Sequence, residues 1–290
     1  MSNRKPTSHS YFSQRLRLHY ADWGNQQAAP MLLVHGVQDH CHSWDWFADG
    51  YADRYHIIAP DLRGHGDSEW VRGSSYHHLD YVYDLDQLVR QRELAPAVVV
   101  SHSMGGTLAA IHAGVYPQCV RALVIIEGVG LWPGWGGEGE PHERIDEWIR
   151  TTRSMASRLP RRYASLEEAR SRMQRANAYL RPDQARHLTV HGTNRNEDGT
   201  YSWKFDNYTH AWPALRLPTD EMTALWRRIT CPVLLINGGD GFPHRIGQDG
   251  TDQHFADVQI VDIPGAGHWA HHDALDTVVD AVDRFLARVP

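Results

Sequence analysis

Val98-Val99-Val100-Ser101-His102-Ser103-Met104-Gly105-Gly106 carries an apolar run into a polar break, and Thr107-Leu108-Ala109-Ala110-Ile111 continues it. The stretch predicts a strand, a very tight turn and a helix, with Ser103 at the turn. Such a turn forces its central residue into a strained backbone and demands small residues on both flanks. Gly105 and Gly106 meet that demand on one side. On the other side Ser101 stands where a glycine is usual, and it adds only a hydroxymethyl group. The helix behind Ser103 would offer backbone N–H groups and a positive dipole end to a developing oxyanion. The plainer reading is a serine that merely caps the helix.

The same alternation extends outward from this turn. Met31–Val34 ends at His35-Gly36, His56–Ala59 at Pro60-Asp61, and Ala122–Ile126 at Glu127-Gly128. Pro232–Ile236 ends at Asn237-Gly238-Gly239, and Val258–Ile263 at Pro264-Gly265. Short apolar runs bounded by Gly, Pro or Asp mark strands buried on both faces of a parallel sheet. Helical stripes lie between them, one through Leu79, Val82, Leu85, Leu88 and Val89, another through Leu275, Val278, Val279, Val282, Phe285 and Leu286. Repeated strand–helix alternation predicts an α/β fold with a doubly wound, mostly parallel sheet, and Tyr11–Trp23 predicts an antiparallel strand pair at one edge. Residues 131–222 break the rhythm. Ser165-Leu166-Glu167-Glu168 has capping-box spacing, and Leu166, Ala169, Met173, Ala176 and Leu180 recur at helical intervals until Pro182. The expected organisation is a core of residues 1–130 and 223–290 with a mostly helical insertion over 131–222.

Composition narrows the function classes. The chain has 290 residues, 41% hydrophobic and 22% charged, enough for one large core. A formal charge of −6 and the lack of any basic block argue against nucleic acid as a partner. Cys41, Cys119 and Cys231 are far apart and odd in number, which predicts no disulfide framework and a reducing compartment. No secretory leader and no membrane-length apolar run is read, so a cytoplasmic protein without membrane insertion is expected. Asp39-His40-Cys41-His42 has metal-ligand residue types, but no distant pair with ligand-like spacing is read beside it, so no metal is expected. Oligomeric state is left open.

Four motifs in order carry a resemblance to the α/β-hydrolase family, in its serine-hydrolase, esterase-like form. They are His35-Gly36-Val37, Asp61-Leu62-Arg63-Gly64-His65-Gly66-Asp67-Ser68, Ser101-His102-Ser103-Met104-Gly105-Gly106 and Gly265-Ala266-Gly267-His268-Trp269. The resemblance implies a helical lid after the sixth strand, Ser103 as nucleophile and His268 as general base. It implies an oxyanion hole from the backbone N–H groups of Val37 and Met104. His35 would order the Gly36-Val37 loop, and Asp61, Arg63 and His65 would be structural. His271 and His272 read as capping or surface groups. The usual acid position, counted from Gly238, holds Gly241, with Asp240 one residue early. A second location, the end of the preceding strand, holds Glu127. The reading favours Glu127 and keeps Asp240 as the alternative. Trp44 and Trp46 are candidates for the wall of an acyl pocket, and Trp132, Trp135 and Trp212 for the inner face of the lid. The implied activity is a carboxylesterase that hydrolyses a small or medium ester with water and needs no cofactor. The alternatives are a C–C bond hydrolase or other acyl-transfer enzyme on the same triad, and a small-ligand binding or sensor protein that retains it.

Overall fold

The computed structural model describes residues 5–73, 76–131, 140–156, 158–211, 213–248 and 250–289. The chain opens with β1 (Thr7–Ser13), β2 (Leu16–Asp22) and β3 (Ala29–Val34), followed by α1 (Asp45–Asp49) and β4 (Tyr55–Pro60). Next come α2 (His78–Gln91), β5 (Ala97–His102), α3 (Met104–Val115) and β6 (Val120–Ile126). The insertion holds α4 (Pro141–Ala156), α5 (Leu166–Ala176), α6 (Pro182–Gly192) and a hairpin of β7 (Thr193–Arg195) with β8 (Tyr201–Trp203). After it come α7 (Thr219–Trp226), β9 (Val233–Gly238), β10 (Val258–Ile263), α8 (Ala270–Asp273) and α9 (Leu275–Leu286).

Eight strands form one sheet in the order β1-β2-β4-β3-β5-β6-β9-β10. β2 runs antiparallel to both β1 and β4, and the pairs from β4 to β10 are parallel. Alternate side chains divide the core into two layers. Leu32, Val34, Val99, Leu123, Ile125 and Leu235 face α2, α3 and α7, while Leu33, Val98, Val100, Val124 and Ile236 face α1 and α9. Every residue of β5 is buried, which is why its sequence reads as a continuous apolar run. The chain leaves β3 for β4 on one side and resumes at β5 on the other, so the loops after β3 and β5 part at a crevice. Ligands in open parallel sheets bind at such a switch point.

The segment expected as the insertion differs from its expected form in two places. α5 stops at Ala176, Leu180 lies in the following turn, and Pro182 begins α6 rather than ending α5. Proline suits a first helical position because the N–H it lacks would have no partner there. The hairpin β7–β8 adds a strand pair to a segment expected to be mostly helical. Met222 and Trp226 of α7 belong to the main core. The Ser165 cap forms, with its hydroxyl accepting from the Glu168 N–H at 3.1 Å. The Glu168 carboxylate reaches back to the Ala164 N–H at 2.8 Å, one residue before the cap. Among the described residues, no helix is long and apolar enough to cross a membrane.

Candidate active site

Ser103 joins β5 to α3 at φ 53°, ψ −124°, a left-handed backbone that costs a non-glycine residue about 1–3 kcal/mol. Hydrogen bonds hold it there. Its N–H donates to Ile126 O at 3.0 Å, and its carbonyl accepts from Gly106 N–H at 2.9 Å. The flanking glycines are required by close approach. A Cβ on Gly105 would lie 2.5 Å from the His35 carbonyl oxygen, and one on Gly106 2.6 Å from Ile125 Cγ2. Ser101, by contrast, has room, and its hydroxyl donates to Val124 O on the neighbouring strand at 2.9 Å. The smallness requirement is therefore relaxed on that flank, because the added hydroxyl is paired across the sheet.

His268 lies in the loop between β10 and α8. Its Nε2 is 2.9 Å from Ser103 Oγ, and its Nδ1 is 3.2 Å from Glu127 Oε2. With Glu127 ionised, Nδ1 carries the proton and donates to the carboxylate, which leaves Nε2 to accept from the serine hydroxyl. The loop is pinned from below by His102 Nε2–H, which donates to the His268 carbonyl at 2.8 Å. Burial drives the His102 imidazole well below its usual range, so it is the neutral ring that makes this bond. The His268 side chain is 35% exposed.

Glu127 ends β6 at φ 50° and is fully buried. Burial by itself would raise its pKa. Hydrogen bonds from His268, Arg245 and the backbone N–H groups of Phe242 and Gly238 outweigh it and hold the carboxyl below its ordinary value. The Arg245 guanidinium is 2.8 Å from Oε1, and the Phe242 N–H is 2.7 Å from Oε2. Gly241, at the family's usual acid position, explains the arrangement. A Cβ there would fall 2.1 Å from Glu127 Oε2. The carboxylate from the end of β6 occupies the space that a side chain from the β9 loop would enter. Asp240 is exposed and accepts instead from the Tyr179 hydroxyl of the insertion at 2.7 Å. Arg245 was missed by sequence reasoning, since no local pattern links it to a residue 118 positions away.

The Gly36-Val37 turn abuts the serine, and a Cβ on Gly36 would stand 2.9 Å from Ser103 Cβ. His35 orders this turn. Its Nδ1–H donates to Gly36 O at 2.6 Å, and its Nε2 accepts from the Leu62 N–H at 3.0 Å. That tautomer is neutral, in keeping with a pKa pushed down to about 3 by burial. Met104 is the first residue of α3, so its N–H has no intrahelical acceptor. Asp61 ties the segment after β4 to β2 and to the start of the helical turn after β3, accepting from His19 Nδ1 and the Cys41 N–H at 2.7 Å each and from the Asp67 N–H at 2.8 Å. Arg63 is paired at both ends of its fork with buried Asp84.

Two expectations are corrected. Trp44 is fully buried, stacked on His271 with ring centroids 4.8 Å apart, and has no surface to present to a ligand. His271 and His272 are buried rather than superficial, because α8 turns inward behind the His268 loop. Trp46 is half-buried against His187. Trp132, Trp135 and Trp212 lie outside the described residues.

Comparison with known proteins gives the family of the chain. Residues 31–281 match the model of the alpha/beta hydrolase family. A "Serine hydrolase-like protein" of Danio rerio is 24% identical over 91% of this chain and 83% of its own length. The "sn-1-specific diacylglycerol lipase ABHD11" of Mus musculus is 26% identical over the same shares. Among solved structures, the hypothetical protein PA1622 from Pseudomonas aeruginosa PAO1 superposes with a TM-score of 0.85 at 23% identity, over 97% of this chain and 99% of that one, a likeness of fold. The family match takes in the parallel strands from β3 to β10, the serine turn and the histidine loop, and the chain belongs to the alpha/beta hydrolase family.

Proposed function

We propose that this hydrolase cleaves carboxylic esters through an acyl intermediate on Ser103. The observation that carries the reading is the continuous relay from Glu127 Oε2 through His268 to Ser103 Oγ, at 3.2 Å and 2.9 Å. Ser103 Oγ attacks the acyl carbon while its proton passes to His268 Nε2. The Glu127 carboxylate balances the imidazolium charge, and the backbone N–H groups of Met104 and Val37 receive the oxyanion. Collapse breaks the bond to the alcohol oxygen, which takes the proton from Nε2. Water then repeats the sequence on the acyl-enzyme, giving its proton to His268 and releasing the acid with Ser103 restored. Residues 131–222 are read as the lid of this site, a reading supported by the Tyr179 hydroxyl, which donates to Asp240 at 2.7 Å. The relative named as a diacylglycerol lipase acts on an ester, which supports the same bond class here.

Hydrolysis of short p-nitrophenyl esters, with fluorophosphonate labelling of the serine, tests the reading. Wild type should turn over and label, and Ser103→Ala should do neither. Labelling without turnover of any ester would turn the assignment toward another acyl or C–C bond, and absence of both would overturn it.

A further inference from the structure

One cluster of imidazoles has no part in the relay. His42 precedes α1, Asp45 begins it, and His187 and His191 stand one turn apart on α6 of the insertion. We propose that His42, Asp45 and His191 bind a divalent first-row transition metal, with zinc as its probe, which clamps α6 of the insertion onto the core. One donor atom from each of these residues lies within 4.8 Å of the others. Tetrahedral zinc with bonds near 2.0–2.1 Å holds its donors about 3.3 Å apart, so binding requires the stacked His42 and His191 rings to turn their nitrogens toward a common point. The His42 Nδ1 to Asp45 Oδ2 separation is already 3.1 Å.

The environment suits a cation. The Asp45 carboxylate already gathers ring nitrogens, His42 Nδ1 at 3.1 Å and His187 Nε2 at 3.0 Å. The His191 ring stacks on His42 at 4.0 Å and stands 4.5 Å from His187, yet makes no hydrogen bond among the described residues. Two imidazoles, one of them unbonded, and a carboxylate make a donor set that suits zinc, copper or nickel. His187 Nε2 lies 3.0 Å from Asp45 Oδ2 and serves as the hydrogen-bond donor that orients the ligating carboxylate. The fourth position falls to water, since His42, Asp45 and His187 are each between 22% and 27% exposed. In the metal-free protein, ring protons bridge to the carboxylate; the metal takes the place of the proton between His42 and Asp45. The His187-x-x-x-His191 spacing is the distant pair that makes sense of His42 in the Asp39-His40-Cys41-His42 motif.

Metal-stripped full-length protein, titrated with zinc near neutral pH and followed by calorimetry and thermal melting, tests the site without recourse to enzyme activity. One zinc per chain is expected, with a rise of roughly 5 °C in the melting midpoint at a hundredfold excess over Kd. His191→Ala and Asp45→Asn should weaken binding more than about 100-fold, and His187→Ala by about 10-fold. Metal-free His191→Ala should melt with metal-free wild type. Should that variant fail to fold, visible absorption of the wild type loaded with Co2+ decides: intense low-coordinate bands support the site, and the weak spectrum of the aquo ion overturns it. Absence of zinc binding, which would leave a proton-bridged cluster only, or binding unchanged in His191→Ala, also overturns the proposal.

Discussion

At the scale of the residue, chemistry depends on which carboxylate faces His268. Glu127 is buried with four hydrogen-bond donors on its two oxygens, whereas Asp240 is exposed and turned toward Tyr179. Glu127→Gln should therefore lower kcat by up to about 10⁴, the cost of losing the group that sets the histidine tautomer. Asp240→Asn should leave kcat within about threefold, since it removes an exposed contact. Steady-state kinetics on one ester decides between them, and a near-silent Glu127→Gln would remove Glu127 from the mechanism. Arg245 is the cation that makes a fully buried carboxylate tolerable beside a half-exposed histidine.

At the scale of the element, two strand ends converge on one point. Glu127 leaves β6 at positive φ, and its oxygens stop 2.1 and 2.4 Å from where a Gly241 side chain would begin. An aspartate at 241 would place its carboxylate in nearly that same volume, but only once Glu127 is gone. The double variant Glu127→Gly, Gly241→Asp should recover at least about tenfold in kcat over Glu127→Gly alone, a fraction of the loss given above. Gly241→Asp alone should be impaired, because two carboxylates then compete for one site. If the double variant is no faster than Glu127→Gly, the equivalence of the two strand ends fails. Element identity was readable in advance wherever both faces of a strand are buried, as in β5. It was not readable in α5 and α6, where a helical period ran through a turn that only Pro182 and local packing resolve.

At the scale of the whole molecule, buried histidines govern acid stability. His35, His40, His65 and His272 are buried, with pKa values pushed by burial from 6.5 to about 3 or 4. In the unfolded chain each binds a proton below about 6.5, while in the folded protein each stays neutral, so protons favour unfolding. Their stabilising contribution is complete above that pH and is lost as pH falls toward 4. One unit below the unfolded value, each ring costs on the order of 1 kcal/mol, and four together approach the order of a domain's entire stability. Far-UV circular dichroism should show cooperative unfolding between about pH 6 and 4; a native, thermally cooperative protein at pH 4 would contradict it. The insertion shares in this transition, since His40 donates to the Leu188 carbonyl of α6 at 3.0 Å.

The sequence alone determined the sheet, the serine turn and the histidine loop, because each is a local matter. Apolar runs ending in glycine or proline define strands, Gly105 and Gly106 define a turn too tight for larger residues, and Ser101 replaces a glycine at a position with room for it. Tertiary structure decided what depends on distant chain segments meeting. It set the Glu127 carboxylate in the volume left by Gly241, brought Arg245 to it across the sheet end, and buried Trp44, His271 and His272. It also brought His42 and Asp45 of the core beside His187 and His191 of the insertion. Periodicity records which face of an element is apolar, and it carries no signal for which two strand ends or helix faces come into contact.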